Sequence, residues 1–249
     1  MSVILESRGL TKHFGSVVAA DGIDVEITEA SMVGMIGANG AGKTTFLNII
    51  TGYVKPSRGS IRFRGRDITG LPPRKIASLG ITRSFQIPQL FTSLTLLENV
   101  LIALSVASGQ AQNLWRPLKD HARTDEALRL LHRFGLEALA HHAVDTLPEG
   151  GRKLLDIALT LVRKPDLLLL DEPTSSVSAK DKFEVFDVLA GVLRADAVTT
   201  IFVEHDMEIV SRYAEHVLAL YDGKVIARGA PKDVLTDPEV RRLVVGLEE

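Results

Sequence analysis

Two short segments carry residue types at spacings that can do phosphate chemistry. The first is GANGAGKT, Gly37 to Thr44, which matches the pattern G-x-x-x-x-G-K-[ST]. Glycines at 37, 40 and 42, interleaved with Ala38, Asn39 and Ala41, let a backbone wrap closely around phosphate oxygens with its N–H groups turned inward. Lys43 then reaches the β- and γ-phosphates of a nucleotide, the Thr44 hydroxyl ligates Mg²⁺, and Thr45 follows in the first turn. A plain glycine turn between a strand and a helix would not require Lys-Thr at that spot. The second segment is LLLLDE, Leu167 to Glu172. Four apolar residues carry a strand to the edge where ligands bind in open α/β sheets, and two carboxylates then emerge. Asp171 is placed to hold the magnesium shell and Glu172 to polarise an attacking water. An Asp-Glu pair alone is more often a solvated strand end, and it is the phosphate loop that gives this one its chemistry.

Elements of particular kinds must hold these groups. Ser31–Ile36 reads as a strand feeding the loop and Lys43–Thr51 as the helix that leaves it. Asp166–Leu170 and Val198–Val203 read as further strands, with Met207–Tyr213 helical after the second of them. Such alternation predicts an α/β fold with a largely parallel sheet. From Thr95 to Val162 only helical spacing is found, including Leu128, Leu131, Phe134 and Leu136, so a helical subdomain over 95–162 is expected inside a β core of 1–94 and 163–249. His216–Arg228 reads as two strands around the turn Asp222-Gly223.

Composition narrows the function classes. At 249 residues, with 45% hydrophobic and 24% charged residues, the chain has the balance of a globular protein with a sizeable core. Its net charge of −2 supplies no sequence-wide basic field, which disfavours nucleic acid as a partner. There is no cysteine, so neither disulfides nor thiolate metal sites can form. The N-terminal residues lack a signal peptide's layout, and the apolar runs fall far short of the ~20 residues that span a bilayer. A cytosolic chain that meets membranes through a partner is expected.

In this order and spacing, the residues resemble the ATPase subunits of ABC transporters from about Val3 to Gly246. The resemblance implies a P-loop NTPase core with a parallel sheet, an N-terminal antiparallel β subdomain and an inserted helical subdomain. It also implies ATP and Mg²⁺ as cofactors. Phe14, in KHFG, takes the place of the aromatic that stacks on adenine, although such a residue is by itself more often core. Gln86, in RSFQ, matches the glutamine that touches magnesium and the attacking water, and His205, in FVEHD, matches the histidine that contacts the γ-phosphate.

Two segments depart from the pattern. Where the signature sequence reads Leu-Ser-Gly-Gly-Gln, this chain has Leu147 followed by Pro148, Glu149, Gly150 and Gly151. Where an aspartate normally ends the loop after the carboxylates, it has Ser175-Ser176-Val177-Ser178. In the family's head-to-tail dimer both segments face the partner's nucleotide or the dimer contact, so a second, different ATPase subunit is favoured over a homodimer. Gly80–Val100 and the C-terminal stretch from VEHDMEIV look most like importers of branched-chain amino acids, urea or amides. Such a motor sits peripherally on the cytoplasmic face of the membrane, bound to transmembrane permease subunits and served indirectly by a solute-binding protein. Ile87, Leu90, Phe91 and Leu94 would line a groove for a permease helix, or else belong to the helical core. Two other readings stay open: a motor for lipid or lipopolysaccharide, and a nucleotide-binding regulator without turnover. A DNA-repair or translation ATPase would need a coiled-coil insertion or tandem domains, for which 249 residues leave no room.

Overall fold

The computed structural model describes residues 2–84, 90–108 and 121–246. Among the described residues the strands are β1 (Val3–Phe14), β2 (Val17–Thr28), β3 (Met32–Gly37), β4 (Arg58–Phe63), β5 (Arg66–Asp67), β6 (Ile81–Arg83), β7 (Leu167–Asp171), β8 (Thr199–Val203), β9 (His216–Tyr221) and β10 (Lys224–Gly229). The helices are α1 (Lys43–Ile50), α2 (Pro73–Ser78), α3 (Leu96–Ala107), α4 (His121–Arg133), α5 (Glu149–Leu161), α6 (Lys182–Ala195), α7 (Met207–Tyr213), α8 (Pro231–Val234) and α9 (Pro238–Val240). They fall into two compact units. One draws its described residues from Met1–Arg83, Asp166–Pro173 and Ala197–Glu249, the other from Ser84–Pro165 and Thr174–Asp196.

The first unit holds two sheets, a four-stranded antiparallel one in the order β2-β1-β4-β5 and a six-stranded one in the order β10-β9-β3-β8-β7-β6. Strands β3, β7 and β8 are buried along their whole length, which is why Met32–Ile36, Leu167–Leu170 and Ile201–Val203 read as apolar runs rather than as alternation. Their parallel register fixes the site's frame. Met35 of β3 and Asp171 of β7 both pair with Val203 of β8, and Gly37 pairs with Leu220 of β9. The phosphate loop, the carboxylate pair and the segment before His205 therefore leave the sheet at one carboxyl edge. Phe46, Leu47, Ile49 and Ile50 of α1 join residues of both sheets in one apolar core. The antiparallel sheet and the hairpin about Asp222-Gly223 agree with the expected fold class.

Three strands start one residue later than the sequence suggests, β8 at Thr199 among them. β3 runs from Met32, and β7 begins at Leu167 because Asp166 is held outside it, its backbone N–H donating to Gly80 O and its carboxylate accepting from Arg64. The edge strand β6 and helix α2 have no counterpart in the sequence reading. The second unit holds α3, α4 and α5, which fall within the expected span 95–162, and it also takes in Thr174–Asp196 with α6. Thr95 starts α3 with a reciprocal capping box to Glu98, and buried Asn99 pins the preceding loop by accepting from Phe91 N–H and donating to Phe91 O. Among the described residues, no helix is long and apolar enough to cross a membrane.

Leu169, fully buried in β7 between two paired strands, tests this core. Leu169→Ala should destabilise the protein by about 2–5 kcal/mol, read as a lowered denaturant midpoint, and a change below ~1 kcal/mol would mean that the strand is not packed on both faces.

Candidate functional site

The loop between β3 and α1 is shaped by positive backbone angles that only glycine takes without strain. Gly42 caps α1 at φ 99°, with no side chain satisfying the first N–H groups of the helix. Those donors and the helix dipole make the start of α1 suited to an anion. Space is as restrictive as torsion here: a Cβ on Gly42 would lie 2.4 Å from Ala19 O, and one on Gly37 would lie 2.5 Å from Leu220 O. The turn after β9 braces the loop from behind, with Gly223 N–H donating to Ala41 O and Gly223 O accepting from Asp21 N–H.

Lys43 is buried, and its Nζ donates to Gly37 O at 2.6 Å and Ala38 O at 3.0 Å. Burial pushes the ammonium below its ordinary pKa, while the Glu172 and then the Asp171 carboxylate pull it back up. Phosphate oxygens would supply the stronger partners that two carbonyls only stand in for. Thr44 is exposed at the start of the helix and Thr45 is half-buried behind it, and Ala38, Asn39, Gly40 and Ala41 complete the loop.

Asp171 ends β7 with its carboxylate nearly buried, accepting from Arg83. Glu172 stands next in a left-handed conformation, φ 51°, held by donation of its N–H to Val203 O. Left-handed backbone in a residue other than glycine costs on the order of 1 kcal/mol, and such strain gathers at functional sites. It turns the side chain so that Glu172 Oε1 lies 2.7 Å from His205 Nε2. A carboxylate can only accept, so in this arrangement Nε2 carries the proton. A carboxylate and an imidazole so coupled can take a proton from water and hold the product state.

Phe14 ends β1 half-exposed, with Lys12 Nζ 4.9 Å from the ring centroid. It pairs with Val17, two residues along β2 from the Ala19 carbonyl that abuts Gly42. Among the described residues, no cluster of three or more His, Cys, Asp or Glu side chains could hold a metal ion. One carboxylate and one hydroxyl nevertheless suit Mg²⁺, which keeps waters and shares phosphate oxygens rather than filling an all-protein cage. Gln86 and Ile87 lie outside the described residues.

The second unit holds the remaining candidates. Pro148 is the N-cap of α5 in extended geometry, without a side-chain hydrogen bond, and Glu149 opens the helix. Gly150 sits where a Cβ would meet Val185 of α6 at 2.9 Å, whereas Gly151 has ordinary room. Ser178 has a task of its own: its Oγ donates to Asp181 Oδ2 and accepts from Asp181 N–H at the approach to α6. Phe91 is exposed, Leu90 and Leu94 are half-buried, and Phe91 with Ile102, Val106 and Leu159 lines a shallow groove of about 220 Å³. Sequence reasoning passed over Arg83 and Asn48, which the structure joins to Asp171.

A phosphate-cradling loop with a buried lysine, beside a strand-end Asp-Glu pair and a coupled histidine, defines a P-loop ATPase. A model of the ABC transporter family matches residues 20–175, and the chain belongs to that family as an ATP-binding subunit. The branched-chain amino acid transport ATP-binding protein BraF of Pseudomonas aeruginosa is 33% identical over 249 residues, covering 98% of each chain. An ATP-binding cassette of an ABC transporter in its ADP conformation superposes with a TM-score of 0.87 at 30% identity, over 99% of this chain and 100% of that one. A dimeric cassette in a post-hydrolysis state, bound to ADP and Pi, gives a TM-score of 0.75 at 26% identity over 92% and 99%.

Gly40 and Gly42 both have positive φ, 83° and 99°, but only Gly42 would drive a Cβ into backbone. Gly42→Ala should lower the thermal midpoint clearly more than Gly40→Ala, whose cost is about 1 kcal/mol of torsional strain. Equal shifts in differential scanning calorimetry would remove the Ala19 contact from the account.

Proposed function

We propose that the chain is the ATP-hydrolysing motor of an importer for branched-chain amino acids or a related small polar solute. The observation that carries the hydrolytic part is the placement of Lys43, Asp171 and the Glu172–His205 pair at one sheet edge. The cargo rests on likeness to BraF and on nothing in the site itself. In this reading Lys43 leaves the Gly37 and Ala38 carbonyls for the β- and γ-phosphates, the loop N–H groups from Gly37 to Thr45 wrap them, and Phe14 stacks on adenine. Thr44 and Asp171, with Gln86 from the segment after β6, hold Mg²⁺. Held there, magnesium would supply charge neutralisation at the phosphates. Glu172 accepts a proton from the attacking water, and His205 fixes Glu172 and then senses loss of the γ-phosphate.

The motor works as a pair of ATPase subunits beneath permease subunits on the cytoplasmic face of the membrane, with a solute-binding protein delivering cargo from the other side. Each nucleotide lies between the cis groups of one subunit and the segment Pro148, Glu149, Gly150 and Gly151 of the other. Both departures, Pro148 and Ser178, fall on what this chain offers its partner, which favours a heterodimer in which hydrolysis is concentrated where this chain supplies Lys43 and Glu172. The same two departures favour a second reading, a nucleotide-binding regulator without turnover.

Lys43→Ala should abolish MgATP-dependent turnover of the assembled transporter, and undiminished turnover would remove the loop from the mechanism. Glu172→Gln should keep ATP binding and lower turnover by about 10²- to 10⁴-fold. When the two subunits are changed one at a time, the loss should be larger for Glu172 than for the partner's equivalent, and equal losses would reject the asymmetric pair.

A further inference from the structure

Arg83, the last residue of β6, joins two elements that carry proposed magnesium ligands. Its Nη2 donates to Asp171 Oδ2 at 2.5 Å and its Nη1 to Asn48 Oδ1 at 2.6 Å. The strand register explains the reach. Arg83 pairs with Leu169, so Asp171 lies two residues further along the neighbouring strand, within the span of an arginine side chain. Asn48 stands on α1 four residues after Thr44, and residues so spaced share a helix face. The guanidinium thus fastens to one candidate ligand and to the residue one turn beyond the other. Its side chain keeps 13% of its exposure and that of Asp171 only 8%, so the pair is shielded from water.

This arrangement has the chemistry of an outer coordination shell. A carboxylate with little water needs a partner to stay ionised and oriented, and arginine is the one side chain that keeps its charge and offers two fixed donors in a plane. The hydrogen bond from Arg83 falls on Asp171 Oδ2. We infer that Arg83 is a positioning residue for magnesium, anchoring Asp171 through Oδ2, with Asn48 fixing the guanidinium to α1, so that the magnesium dependence of nucleotide binding rests on Arg83 as well as on Asp171. The inference depends on the proposed assignment of Asp171 to the magnesium shell.

The full chain and a fluorescent, hydrolysis-resistant ATP analogue provide the test, with binding measured in EDTA and across a MgCl₂ titration. Partners of this kind typically contribute 10- to 100-fold to metal affinity. Arg83→Gln should leave the metal-free affinity within about twofold of wild type and raise the Mg²⁺ midpoint by about tenfold or more. Arg83→Lys, which keeps the charge but lacks the planar fork of fixed donors, should fall between the two. Asn48→Ala should shift the midpoint the same way by a smaller factor, and it decides the matter if Arg83→Gln does not fold. A merely structural role would move the metal-free affinity or the melting temperature and leave the midpoint alone. An unchanged Mg²⁺ midpoint overturns the inference, as does a lowered one, which would make Arg83 a cation competing with magnesium. Asp171→Asn separates the two levels: if it too leaves the midpoint unchanged, the magnesium assignment of Asp171 fails, and if it alone raises the midpoint, only the role of Arg83 fails.

Discussion

The site depends on a backbone contact more than on any side chain. Gly42 stands in a left-handed conformation with its Cα against the Ala19 carbonyl, and that contact sets where α1 begins and where its first N–H groups point. Lys43 then emerges inside the turn rather than outside it. Strand β2 and the β9–β10 hairpin are clamped to the same spot through Gly223, Ala41 and Asp21, so both sheets of the first unit bear on one loop. Sheet order, the lengths of β3 and β9 and the Asp222-Gly223 turn are all felt at the phosphate cradle through this brace.

Charge is arranged around that loop in compensating pairs. Lys43 is buried against carbonyls, with Glu172 and Asp171 near enough to offset part of the burial cost. Asp171 is held by Arg83 and Glu172 by His205. Lys43, Asp171 and Glu172 thus each have a partner within the protein. In the proposed reading an anionic nucleotide would draw Lys43 from its carbonyls, and the Glu172 backbone is held by its N–H donating to Val203 O.

Much of this was legible in the sequence because the decisive groups are local. GANGAGKT after an apolar run states both its loop and the helix beyond it, and LLLLDE states a buried strand and its exit. The turn residues Asp222-Gly223 did the same for the hairpin. What stayed hidden depends on pairing between distant segments. Arg83 sits beside Asp171 only because a three-residue edge strand takes its register from β7, and no local pattern in ITR announces that. Asn48 has meaning only once Arg83 reaches it. Ser178 looked like a lost aspartate, whereas three-dimensional context also makes it a partner of Asp181 at the start of α6. The grouping of Thr174–Asp196 with the helical unit follows from packing, such as Gly150 against Val185, that spacing along the chain does not encode.

The central claim is that this chain's own groups make a working hydrolytic site despite the altered signature segment. Phosphate release by the assembled transporter, followed over many minutes with MgATP in large excess over protein, tests it most directly. The account predicts continued release of many phosphates per complex, whereas bound ATP with one phosphate or none released would contradict it and leave a regulator that binds nucleotide without turning it over.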